Sequence, residues 1–137
     1  MSLNPYQAPD AYLTDGQPGA RGRGMFVLAA IGAWLASVYW AGLTALLALG
    51  AAAGATSPLQ IIMPCVLIVL YAFRGVQLYK GDAAAAQKIV VLHAIGGIMA
   101  IIQIAAGNSL VVVLYGIKVA IHVFGGVTAY LTRRSAV

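Results

Sequence analysis

The sequence predicts an all-α membrane protein: a bundle of four transmembrane helices running up-down-up-down, with both termini in the cytoplasm. Three observations predict it. Of the 137 residues, 62% are hydrophobic and 8% charged, with a mean hydropathy of +0.93, outside the range of soluble globular domains. The apolar residues fall into four blocks, each near the roughly 20 residues that cross a hydrocarbon core of about 30 Å. The connections between the blocks are short, and in lipid only helices among open structures satisfy every backbone polar group internally.

Residues 1–24, MSLNPYQAPDAYLTDGQPGARGRG, are rich in Pro, Gly, Gln and Asp and show no apolar period. Such a segment cannot bury a core, and it reads as a flexible cytoplasmic tail. It holds Asp10 and Asp15, two of the three acidic residues; the third is Asp82. Its opening, Asn4 to Pro9 (NPYQAP), resembles the N-terminal tails of small, largely uncharacterised bacterial multi-pass inner-membrane proteins. The resemblance covers six residues and implies a location in the bacterial inner membrane, with no activity attached.

The spans are expected at about 25–50, 58–79, 83–106 and 109–132, forming one transmembrane domain over 25–134, with 135–137 as a C-terminal tail. The first block could be taken for a signal peptide, because ALGAAAGA at 48–55 offers small residues for cleavage. Its apolar run is too long for an h-region of about 7–15 residues, and it carries Trp34, Tyr39 and Trp40, so an uncleaved span is expected. In the second block Pro64 removes one helical hydrogen bond, and a kink is expected in its outer half. Cys65 is the single cysteine, so no intramolecular disulfide can form. Gly32 with Ala36, Ala41 with Ala45, and Gly96 with Ala100 stand one turn apart, a spacing that lets helices approach closely in lipid. Ser37 and Thr44 read as interhelical hydrogen bonders.

Charge sets the expected orientation. Arg21, Arg23, Lys80, Arg133 and Arg134 lie at the termini and the second connection, whereas GAAAGATS and GNS carry no charge. The positive-inside rule therefore places both termini in the cytoplasm. The formal charge of +5 reports topology and gives no reason to expect nucleic-acid binding.

The polar residues inside the spans are few. HAIGG at 93–97 and HVFGG at 122–126 contain the only two histidines of the chain, each followed three residues later by a Gly-Gly pair. His93 lies eleven residues after Asp82 and His122 eleven before Arg133, so both sit about 16 Å from the cytoplasmic edge at 1.5 Å per residue. The two imidazoles can therefore face each other. His93, Gly96, Gly97 and Ala100 share one helix face, and Tyr115, Lys118, His122, Gly126 and Ala129 share another. Because the helices are antiparallel, the two motifs form facing stripes related by a local two-fold. Lys118 is too deep to snorkel easily, and no carboxylate lies in any span to neutralise it. It must be neutral, hydrogen-bonded to Tyr115 or a carbonyl, or paired with an anion from elsewhere. Arg74 and Lys88 lie nearer the cytoplasmic edge, where their stems reach headgroups.

Three readings of the histidine pair stand side by side. The rings can hydrogen-bond across a close helix interface. They can be axial ligands of a b-type haem, with the glycines clearing space and Arg74 or Lys88 pairing the propionates. Or His122 and Lys118 can form a quinone, lipid-phosphate or other anion site. A zinc site wants three or four ligands, and hydrolytic triads want a carboxylate that the spans lack. Proton-coupled cation export of the small multidrug-transporter kind relies on a membrane-embedded acid, also missing here. The expected function is that of a small integral inner-membrane protein without enzymatic activity, embedded in the lipid bilayer and acting through another membrane protein or a homo-oligomer. The alternative is a haem, quinone or anion-binding subunit centred on His93, His122 and Lys118, with Tyr115, Arg74 and Lys88 beside them.

Overall fold

A computed structural model describes residues 20–55, 57, 59–105 and 109–135. It contains four helices: α1 (Ala20–Ala52), α2 (Leu59–Tyr79), α3 (Ala83–Ala105) and α4 (Ser109–Ser135). All four are long and apolar enough to cross a membrane, and the chain is a multi-pass membrane protein with no strand among the described residues. NPYQAP, Asp10, Asp15 and residues 136–137 lie outside the described residues. Two expected boundaries move. Helix α1 begins at Ala20, inside the segment read as tail, because Ala and Arg favour helix and the last strong breaker is Pro18. At 33 residues it extends about 50 Å, longer than a hydrocarbon core of about 30 Å, so membrane entry and helix start do not coincide. Helix α4 likewise continues to Ser135, within the expected C-terminal tail.

Local chemistry explains the turns. Gly54 and Gly81 adopt φ of 72° and 88°, the left-handed conformation that closes a helix C-terminus. After α2, Asp82 N donates to Gln77 O at 3.0 Å and Gly81 N to Leu78 O at 2.8 Å. Asp82 then caps α3, its Oδ1 accepting from Ala84 N at 2.8 Å and Ala85 N at 3.2 Å. Residues 80–82 thus end one helix and start the next. Pro64 lies in the second turn of an α2 that runs unbroken from Leu59 to Tyr79, so the bond it forfeits is to the Gln60 carbonyl.

The helices form an open ring in the order α2, α1, α4, α3. Helix α1 packs along both α2 and α4, and α4 along α3, whereas α2 and α3 barely touch despite their short connection. Small side chains set the close contacts. Ala29, Ala30, Ala33 and Ala36 are buried on α1, and a methyl group on Gly32 would sit 2.6 Å from the Gly125 Cα. Gly75 of α2 likewise lies beneath the Trp34 indole, which a side chain there would overlap. The second α1 pair departs from expectation: Ala41 and Ala45 face outward, because α1 and α4 separate towards that end. Ser37 does bond between helices, donating to Ile68 O at 3.1 Å. Thr44 instead donates to Trp40 O of its own helix at 2.7 Å, the back-bond a threonine makes when no neighbour offers an acceptor. Thr132 Oγ1 donates to Met25 O at 2.9 Å, tying the end of α4 to the start of α1. Large apolar side chains such as Val38, Leu49, Leu59 and Val69 point outward, as lipid contact requires.

Candidate functional site: the paired histidines and a caged lysine

His93 and His122 meet inside the bundle, with 1% and 3% of their surface exposed. Their Nδ1 atoms are 3.0 Å apart and the rings lie 5.2 Å centre to centre at 64°. Each ring also fills a glycine notch on the opposite helix. A methyl on Gly96 would sit 2.5 Å from Cε1 and Nε2 of His122, and one on Gly125 would overlap the His93 imidazole. The second glycine of each pair is roomier: a methyl on Gly97 would lie 3.6 Å from His122 Cβ, and one on Gly126 3.4 Å from His93 Cβ.

This reciprocity explains the repeated spacing. Side chains on a helix lean towards its N-terminus. Antiparallel α3 and α4 therefore send their imidazoles past each other, and each ring lands three residues beyond the opposing histidine, a displacement of about 4.5 Å. Glycine at that place lets a five-membered ring lie against the backbone. The sequence placed Gly126 on the α4 face, and Gly126 does face the His93 Cβ; the imidazole itself rests on Gly125 beside it.

The pair is closed on itself. One Nδ1 must carry a proton and the other accept it. His93 Nε2 is buried without a partner against the Gly125 backbone, and a buried lone pair left unpaired is more tolerable than a buried N–H. Network satisfaction thus assigns His93 as the Nδ1 donor and His122 as the acceptor. Tyr71 of α2 covers both rings, at 5.1 Å from His93 and 5.9 Å from His122, and donates through its hydroxyl to Leu92 O at 3.1 Å. That bond links α2 to α3 at the depth of the pair. Tyr71 was not singled out in the sequence, though it lies within about one helical turn of the depth of His93, counted from the α2–α3 connection.

Axial haem ligation does not fit this geometry. An iron between two imidazoles needs a metal–nitrogen bond of about 2 Å on each side, whereas here the nitrogens are in direct contact at 3.0 Å. The glycine surfaces that a porphyrin would need are filled by the opposing imidazoles. Among the described residues, no three His, Cys, Asp or Glu side chains converge.

Lys118 is the second buried polar centre, 2% exposed. Its Nζ donates to Gln103 Oε1 at 3.3 Å and lies 4.5 Å from the Trp40 ring centre and 5.4 Å from that of Tyr115. An amide oxygen and two aromatic faces are what an ammonium accepts in place of water. Lys118 thus finds a polar partner and two aromatic faces within the bundle itself. Tyr115 contributes its ring, as placed by the sequence, while Gln103 and Trp40 were missed. Gln103 was legible in principle: it lies seven residues after Gly96, on the Gly96–Ala100 face of α3. Arg74 and Lys88 are remote from this cage. They line a separate groove between α2 and α3, with Leu70, Ala84, Gln87, Val91 and Leu92, and Arg74 Nη1 donates to Gln77 Oε1. The six residues expected to form one site therefore divide into a histidine pair, a lysine cage and a peripheral basic groove.

No family model, curated protein or solved structure matches this chain.

Proposed function

We propose that the chain is a bacterial inner-membrane protein without enzymatic activity, acting by lateral association in the bilayer with another membrane protein or with further copies of itself. One observation carries the reading: an open cleft of about 370 Å³ between α1 and α4, lined by Val38, Tyr39, Gly42, Leu43, Leu46, Leu114, Tyr115 and Ile117. Above Gly42 there is open space, and Ala41 and Ala45 beside it are exposed. A smooth backbone flanked by large apolar side chains is the surface against which a further transmembrane helix packs in lipid. The interior supports the same reading, because the histidines bond each other and Lys118 is held by Gln103. Those groups act as fasteners of the bundle. The NPYQAP resemblance and the Lys and Arg distribution support the inner membrane and cytoplasmic termini.

A photocrosslinking residue in place of Gly42 tests this in membranes, with the same residue at Val69, exposed on α2, as control. Adducts to a second copy or to one discrete membrane protein from Gly42 alone support lateral association through the cleft. Equal protein adducts from both positions, or lipid adducts only, overturn it.

A further inference from the structure

A phospholipid is an anion joined to hydrocarbon, and a site for one needs a cationic end at interfacial depth that continues into an apolar groove. The groove between α2 and α3 has this form. Arg74 lies five residues before the end of α2 at Tyr79, and Lys88 five after the start of α3 at Ala83. Both therefore stand about 7–8 Å inside the edge marked by the α2–α3 connection. The groove encloses about 500 Å³, and Leu70, Val91 and Leu92 extend it away from that edge. Its floor is closed where Tyr71 reaches across to Leu92 O. It remains open sideways because α2 and α3 diverge, and Lys88 and Val91 are exposed along it.

The charges are complementary to a phosphodiester. Arg74 spends one donor on Gln77 and retains others of its five, while Lys88 offers an ammonium opposite. The one described acid is Asp82, and it is engaged in capping α3 through Ala84 and Ala85, so nothing in the groove neutralises the two cations. A free phosphate would use the cations and leave the apolar walls without a role.

We propose that this groove binds a single anionic phospholipid, its phosphate held between Arg74 and Lys88 and one acyl chain laid along Leu70, Val91 and Leu92. Basic clefts between transmembrane helices at headgroup depth are where anionic lipids bind specifically. The proposal does not depend on lateral association at the α1/α4 cleft, on the opposite flank of the open ring.

Native mass spectrometry of the full chain, released from nanodiscs of phosphatidylcholine with and without phosphatidylglycerol, tests it. One phosphatidylglycerol per chain should be retained. Arg74→Gln and Lys88→Gln should each weaken retention about fivefold, and Arg74→Lys should weaken it less. Val91→Trp changes no charge but fills the groove, and should also expel the lipid. Lys80→Gln, at the same edge but outside the groove lining, should have little effect. Circular dichroism and melting of each variant identify any loss caused by misfolding; Val91 is exposed, so Val91→Trp is expected to fold. Equal losses from Lys80→Gln and Lys88→Gln would reduce the effect to surface charge and overturn the site. Retention undisturbed by Val91→Trp, or displacement of the lipid by inorganic phosphate alone, would overturn the phospholipid assignment.

Discussion

Adding one methyl group at each glycine of the two HxxGG motifs should separate the paired glycines sharply. At Gly125 the new methyl overlaps the His93 imidazole, and the ring cannot swing aside because His122 and Tyr71 hold it. Helix α4 cannot retreat either, since Gly125 Cα already lies against Gly32. Overpacking of this kind costs about 1–3 kcal/mol, and the blocked exits put Gly125→Ala near the upper end. Alanine returns about 1 kcal/mol in helix propensity, leaving a net loss of about 2 kcal/mol. At Gly97 the methyl meets only His122 Cβ at an ordinary 3.6 Å, so Gly97→Ala should gain about 0.5–1 kcal/mol. Gly96→Ala should follow Gly125→Ala. Unfolding in mixed detergent and dodecyl sulfate micelles, followed by helicity, measures these differences. A double-mutant cycle then assigns the clash: in a His93→Ala background Gly125→Ala should turn from a loss into a small gain, a coupling of about 3 kcal/mol. Equal effects at Gly97 and Gly125, or an additive cycle, would refute the reciprocal ring-in-notch contact.

Two further outcomes are expected. Gln103→Leu removes the oxygen that accepts from Lys118 and should destabilise the bundle by about 1–3 kcal/mol; adding Lys118→Met should restore most of that loss, read as recovery of the melting temperature, whereas no recovery would deny the pair. Alkaline phosphatase fused after Val137 should be inactive and a cytoplasm-active reporter bright; the reverse would overturn cytoplasmic termini.

The four helices and their approximate ends were legible because hydrophobic length is a property of the chain read one residue at a time. Gly81 and Asp82 acted locally as well, ending α2 and capping α3 through bonds to residues within five positions. The meeting of His93 and His122 was legible for a related reason: rise per residue converts equal distance from an edge into equal depth. What those residues do at that depth was decided by three-dimensional packing. The lean of antiparallel side chains seats His93 on Gly125, a position the helical wheel set aside. Lys118 found Gln103 and Trp40 because α3 and α1 approach it from different sides, and no spacing within α4 encodes its neighbours. Arg74 and Lys88 parted from the histidines because the ring opens between α2 and α3. The sequence by itself determined that these helices cross a membrane and how deep each polar residue lies, since both follow from local composition and a fixed rise. Only the tertiary structure decided which polar groups satisfy one another, because partners in lipid are chosen by the relative position and tilt of whole helices.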